Sequence, residues 1–305
     1  MVSELSSISA LVTGGAGFIG SHLTESLLEH GATVTVLDHL ESHTPKDIPT
    51  QAELIEADVR DTETMDEALH SVDVVFHLAA VVSVARSVED PIGSHTVNAD
   101  ATLNLLELAR KHDVRVVIAS SSAIYGQPEY TPIDEAHPIQ PESPYGIDKA
   151  TIDQYARAYH EFYGLETVAL RFFNVYGPGQ TAGDYGGVIS IFKEQAEAGN
   201  PITVDGDGSQ TRDFVHVSDV VDALLLAART DHVGEAFNIG TGAETSIAEL
   251  AETIREVTET DSEITYTDPR PGDIDHSVAE ITKAREQLGF DPGLSLRAGL
   301  ETFLG

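Results

Sequence analysis

The chain has 305 residues, 41% of them hydrophobic, with 51 acidic against 17 basic side chains and a formal charge of −34. That length can bury one substantial core with a smaller lobe beside it, while the charge repels nucleic acid and anionic membranes and excludes both as partners. No apolar run reaches the roughly 18–20 residues of a membrane span, the N-terminus has no basic leader, and the lack of cysteine removes disulfide and thiolate chemistry, so a soluble cytoplasmic protein is expected.

Strand-like and helix-like runs alternate from the start. ALVTG reads as a strand, residues 18–30 as a helix, TVTVLD and AELIEADV as strands, 64–69 as a helix and DVVFHLAA as a strand. An amphipathic helix over 98–112, strand RVVIASS, a helix over 145–163 and strand TVALRFF continue the rhythm. This pattern specifies an α/β fold, a doubly wound parallel (Rossmann) sheet with helices on both faces. After NVYGPGQ the elements shorten and Gly, Asp and Pro accumulate. Residues 1–176 are therefore expected to form the dinucleotide-binding domain and 177–305 a smaller C-terminal substrate lobe, with part of 214–245 returning to the first.

Gly14, Gly17 and Gly20 in TGGAGFIG stand between a strand and the helix opened by Phe18 and Ile19. Such glycines allow the tight turn, the close approach of a pyrophosphate and tight helix–sheet packing, with helix N–H groups aimed at phosphate. Asp38 ends the next strand, where a carboxylate accepts from the adenosine ribose and repels a 2′-phosphate, which favours NAD over NADP. Asp58 in EADVRD, and Leu78, Ala79 and Ala80 in HLAA, fall at later strand ends where the rest of that cofactor would lie. Tyr145 and Lys149 in SPYGIDK share one helix face, so the ammonium can favour a phenolate that is otherwise scarce at neutral pH. The plainer alternative is a packed ring with a solvated lysine, but lysine is scarce here, confined to Lys46, Lys111, Lys149, Lys193 and Lys283. Ser121 and Ser122 follow strand RVVIA, where either hydroxyl could relay a proton or simply turn the chain. The thirteen histidines are scattered, and His39 and His43, in a Pro-containing loop, read as solvated surface, so no metal site is expected.

TGGAGFIG, DVRD, HLAA, Asn98, SSSAIYG, SPYGIDK, RFFNVYGPG, TRDFVHVSDV and RPGD, in this order, resemble the extended short-chain dehydrogenases of the NAD-dependent epimerase/dehydratase family, nearest their UDP-glucose 4-epimerase branch. The resemblance spans nearly the whole chain. It implies that Gly14, Gly17, Phe18, Ile19, Gly20, Asp38, Asp58, Val59, Leu78, Ala79, Ala80, Asn98, Tyr145, Lys149 and Phe173 surround NAD. It further implies catalysis by Ser121, Tyr145 and Lys149, and binding of a nucleotide sugar, most simply a UDP-sugar, by Ser121, Tyr145, Asn174, Val188, Thr203, Val204, Arg212, Arg270, Asp273 and Ser277. The implied activity is C4 epimerisation through a 4-keto sugar. Two departures stand out: Ala123 replaces the acid that the family's dehydratases and decarboxylases carry in this segment, and Val82 replaces a lysine common in bacterial 4-epimerases. A dehydratase or oxidoreductase of the same fold, or a silent NAD-binding regulator, are the alternatives. The family's habit of pairing two helices per subunit implies a homodimer, with Ala101, Leu105, Leu108, Tyr155 and Tyr159 offering apolar surface at helical spacing, or equally core. The dispersed acidity resembles that of proteins from salt-loaded cytoplasms.

Overall fold

The computed structural model describes residues 6–41, 44, 48–180, 187–270 and 272–304. β1 (Ser9–Thr13), α1 (Phe18–Glu29), β2 (Thr33–Asp38), β3 (Glu53–Glu56), α2 (Thr62–Ala68) and β4 (Val74–His77) come first. Two short helices, α3 (Val84–Glu89) and α4 (Pro91–His95), run through a π turn into α5 (Ala101–His112), β5 (Arg115–Ser121), α6 (Pro144–Tyr163) and β6 (Thr167–Phe172). The remainder comprises β7 (Asn174–Tyr176), α7 (Val188–Glu197), β8 (Ile202–Asp205), β9 (Thr211–Arg212), β10 (Phe214–His216), α8 (Val217–Ala227), β11 (Glu235–Ile239), β12 (Thr245–Ser246), α9 (Ile247–Val257), β13 (Ile264–Thr267) and α10 (Leu296–Leu304).

Seven strands form one parallel sheet in the order β11-β6-β5-β4-β1-β2-β3. The central strands are apolar throughout because both faces are covered. Leu23 and Leu27 of α1 and Val220 and Leu224 of α8 pack on one face, and Leu105 and Leu106 of α5 and Ile152 and Ala156 of α6 on the other. This is the doubly wound α/β sheet expected from the alternating runs. Ala101, Leu105 and Tyr159 are core residues. Of the expected surface residues Tyr155 is exposed, together with Ile147, Phe162 and Tyr163 of α6, while Leu108 is partly buried against the core.

A second core of Ile189, Phe192, Ile202, Val204, Leu250, Ile254 and Leu300 holds α7, α9, α10 and the β8–β13 pair together. β10 pairs with β7, and β11 with β6, so the chain crosses between the two cores more than once. Strand order reverses at β1 and β4, which opens a crevice at their C-terminal ends. No helix among the described residues is long and apolar enough to cross a membrane.

Candidate active site

The crevice begins at the glycine turn. Gly14 has φ +70°, and a Cβ there would lie 2.8 Å from the backbone nitrogen of Ala79; one on Gly20 would lie 2.1 Å from the Gly14 carbonyl oxygen. Both positions thus require glycine for close backbone approach. α1 is capped by Gly17, which has no side chain to offer, and has no acidic residue in its first turn. Its N-terminal N–H groups and dipole are left for an anion. Asp38, buried at the end of β2, accepts from the N–H of Ala16 at 3.1 Å and of Leu40 at 2.9 Å, which fixes its carboxylate beside the turn. The Asp58 carboxylate is gripped by Arg60 Nε at 2.9 Å and Nη2 at 2.6 Å, which holds it below the usual carboxylate range; Arg60 was not anticipated. Val59 is buried behind it.

Asn98 stitches the loop after β4 to the following helices. Its Oδ1 accepts from Val81 N at 2.8 Å and its Nδ2 donates to Val81 O at 3.0 Å. This pins the chain just past Leu78, Ala79 and Ala80. Phe18 sits edge-on to His22, whose Nε2 is 2.8 Å from the Pro178 carbonyl, so the start of α1 is tied to the loop after β7; Ile19 follows it, half-buried. Phe173 puts its ring into a core with Ile124, Tyr125 and Ile133. Any contact it makes with a cofactor therefore falls to its main chain.

Ser143 caps α6 and Pro144 starts it, so Tyr145 and Lys149 lie on its first turns beside the end of β5. Burial pushes the pKa of the Tyr145 phenol upward, and the neighbouring Ser121 hydroxyl pulls it partly back. Lys149 is not solvated: it is 4% exposed, its Nζ donates to the Ala119 carbonyl at 2.7 Å, and it stands 5.8 Å from the centre of the Tyr145 ring. Burial lowers it to about 8, partly offset by Asp148. Asp148 is itself held by Ser94 at 2.9 Å and His95 at 2.7 Å. Ser122 starts a short 3-10 turn in which the Ala123 N–H donates back to Ser121 Oγ at 3.2 Å. A buried ion pair anchors this assembly. Arg171 of β6 donates twice to Asp153 of α6, both at 2.8 Å, and also to Tyr125 OH at 2.9 Å. Losing one partner of such a pair typically costs about 3–5 kcal/mol, so it fixes α6 against the turn that carries Ser121.

The smaller lobe presents a cleft of about 780 Å³ whose lining includes Asp205, Gln210, Tyr266, Arg270, Asp273 and His276. Arg270 is 69% exposed and pairs with Asp205 at 3.1 Å. Arg212 is more enclosed; it donates to the carbonyls of Thr211 at 2.7 Å and Ile274 at 2.6 Å and to Asp273, and burial lowers its pKa. Thr203 and Val204 lie on β8 just before Asp205, with Val204 in the lobe's core. Asn174 donates to the Asp213 carbonyl at 3.2 Å. Val188 opens α7, whose cap, Gly187, again leaves the helix N-terminus without a side-chain partner. Ser277 is buried one residue beyond His276, its N–H on the Thr211 carbonyl at 3.2 Å.

Residues 10–240 match the model of the NAD dependent epimerase/dehydratase family. The chain belongs to that family. It is 43% identical to a putative UDP-glucose 4-epimerase of Methanocaldococcus jannaschii over 95% of both chains. It is also 37% identical to UDP-glucuronic acid decarboxylase 1 of Arabidopsis thaliana, covering 95% of this chain and 67% of that one. Among solved structures, the UDP-glucose 4-epimerase of Thermotoga maritima with UDP-glucose superposes with a TM-score of 0.94 at 40% identity, covering 97% of each chain. Fold and NAD dependence thus agree with the family the motifs indicated, while the relatives include more than one reaction.

The sequence reading missed three groupings. Arg60 stands inside the DVRD motif, where the sequence alone assigns it no role. The Arg171–Asp153–Tyr125 network joins residues far apart in the chain. The third is Asp66, His70 and His112, whose ligand atoms all lie within 4.8 Å of one another; the i, i+4 spacing of Asp66 and His70 was the one visible signal. His39 is exposed beside Glu41, and His43 lies outside the described residues.

Proposed function

We propose that this protein is a UDP-sugar 4-epimerase, interconverting UDP-glucose and UDP-galactose and accepting their N-acetylated counterparts. Tyr145 serves as the base on the sugar O4 hydroxyl, with Ser121 between phenol and sugar and the Lys149 ammonium favouring the phenolate. NAD held in the glycine crevice would supply a reversible hydride acceptor for the sugar C4, so that the centre can be inverted through a 4-keto sugar. The residues fit that cofactor: Gly14, Gly17 and Gly20 leave the cradle bare, α1 offers free N–H groups and Asp38 a fixed carboxylate. Arg212 and Arg270 would hold the diphosphate by forked hydrogen bonds while the ketone turns, keeping the intermediate in the site.

The observation that carries this reading over elimination or decarboxylation is Ala123. Two residues from Ser121 it offers only a methyl group, while Glu129 accepts from Gln140 at 3.0 Å and Glu135 from Asn238 N at 2.8 Å. With no carboxyl group at position 123, oxidation at C4 is followed most simply by return of the hydride. We place the enzyme in the cytoplasm as a homodimer.

The test is incubation with a panel of UDP-, dTDP- and GDP-sugars, and UDP-glucuronic acid, without added NAD, resolving C4 epimers, 4-keto-6-deoxy sugars and pentoses. C4 epimers of a UDP-hexose are expected. A dehydrated or decarboxylated product, or bound NAD with no turnover of any substrate, would overturn the reading.

A further inference from the structure

At the N-terminal edge of the sheet, opposite the active-site crevice, the chain turns from α2 into β4 and from α5 into β5. Asp66 lies on α2, His70 four residues on in the 3-10 turn Leu69–Ser71 that extends it, and His112 is the last residue of α5. We propose that Asp66, His70 and His112 form a binding site for a divalent transition-metal ion of the zinc class, which clips α2 to α5.

The donor set is two imidazoles and one carboxylate, the kind that suits zinc, cobalt or nickel rather than calcium or magnesium. His70 Nδ1 lies 2.8 Å from the main-chain oxygen of Asp66. It therefore carries the proton and donates, which leaves the lone pair of Nε2 outward and fixes the ring, as the outer hydrogen bond of a ligating histidine does. The His70 and His112 rings lie 4.4 Å apart, tilted by 49°. Asp66 and His70 at i and i+4 form a chelate on one helix face, and the second helix contributes His112.

Two features bear on how an ion would enter. His112 Nε2 is 2.6 Å from Asp66 Oδ1, so a single proton bridges the two atoms that a metal would bridge. Ligands at about 2.0–2.1 Å in a tetrahedron are about 3.3 Å apart, so this pair must open by well under 1 Å, and His70 must close in. The second feature is Lys111, whose Nζ sits 2.9 and 2.8 Å from the two Asp66 oxygens. In a chain so poor in lysine, an ammonium here acts as a built-in cation on the same carboxylate. It is 59% exposed and can swing into solvent. Lys111 and the metal ion then compete for Asp66, and removing the ammonium should tighten metal binding.

The experiment uses the untagged, cofactor-loaded protein, stripped of metal by chelator, titrated with ZnCl2 by calorimetry and with CoCl2 by visible absorption. One equivalent should bind with micromolar or tighter affinity, give d–d bands of low-coordinate cobalt and raise the melting temperature. His70→Ala, on an exposed ring outside the core, and His112→Ala should each weaken binding at least tenfold. Lys111→Gln should strengthen it several-fold. Turnover of the metal-free wild type and of His70→Ala should be equal, because the active-site crevice is at the other edge. Binding weaker than millimolar, or binding unchanged in His70→Ala, would overturn the proposal. So would a Lys111→Gln variant that binds no more tightly than wild type.

Discussion

His77 accepts a hydrogen bond from Thr13 across the seam between β4 and β1, with Nδ1 2.8 Å from Oγ1. The direction follows from the chain of donors. The Thr102 hydroxyl donates to the Asn98 carbonyl at 2.6 Å, so it must accept from His77 Nε2–H at 2.9 Å, leaving Nδ1 as the acceptor. The ring is buried and neutral. It is held at about 3 by burial and by the nearby Lys149 ammonium.

That neutrality sets an acid limit on stability. The unfolded chain binds a proton at His77 near the ordinary value of about 6.5 while the folded chain does not until about 3. Stability contributed by the neutral ring is therefore full above pH 6.5 and declines as pH falls toward 3, by on the order of 4 kcal/mol. His77→Gln removes the proton-binding site. Its melting temperature should start lower at pH 7.5 but fall less steeply between pH 6.5 and 4. Parallel curves would place the acid sensitivity in other groups.

Tyr145→Phe keeps the ring and deletes the ionisable hydroxyl. Turnover should drop about 10²–10⁴-fold with NAD still bound. The ammonium of Lys149 is present below about pH 8 and lost above it, so kcat/KM of the wild type should fall on the alkaline side from about pH 8. Lys149→Met should be slow at every pH and lack that limb. A limb that survives in Lys149→Met would belong to a different group.

The sheet was legible because each central strand is a short apolar run bounded by turn residues and each helix has its own period. The glycine turn, Asp38 and the Tyr145–Lys149 pair were legible because each is local, spanning a few residues or one strand. What was not legible is made across the sheet. The burial of Lys149 depends on Ala119 in another strand, and the Arg171–Asp153 pair on two elements with no shared motif. Helix α5 shows the limit of periodicity. Its apolar face was readable, but whether Ala101 and Leu105 meet the core or a second subunit is decided by what packs against them.

The exposed side chains Ile147, Tyr155 and Phe162 repeat on one face of α6, and Phe162 is 71% exposed. An apolar stripe of this kind on a highly charged surface points to self-association. Phe162→Glu, at this exposed position, should convert a dimer to a monomer by light scattering in 2 M KCl while leaving circular dichroism unchanged. A monomeric wild type under those conditions would end the idea.

With a formal charge of −34, the folded chain repels itself, and the ion pairs described cannot neutralise an excess of acids over bases that large. Salt screens this repulsion over roughly 10 Å at 0.1 M and 3 Å at 1 M. Melting temperature and turnover should both rise from dilute buffer toward molar KCl. A melting temperature that stays flat across the range would assign the acidity another purpose.

Ser277 tests which sugars fit. It is 5% exposed, directly follows His276 in the cleft wall, and is held by its main chain to Thr211, the neighbour of Arg212. We propose, from the family resemblance, that this position is a gate beside the sugar C2 substituent, where a bulky residue would restrict the pocket and a small one admit an N-acetyl group. Serine is small, so the wild type should interconvert UDP-GlcNAc and UDP-GalNAc as well as UDP-glucose and UDP-galactose. Ser277→Tyr should therefore overfill the pocket for the larger pair, at about 1–3 kcal/mol. That corresponds to a drop of roughly 5- to 150-fold in kcat/KM for the acetylated sugars relative to the hexoses. The ratio of the two kcat/KM values, measured in both proteins, is the readout. An unchanged ratio in a folded, NAD-bound Ser277→Tyr variant would show that this side chain does not face the C2 substituent.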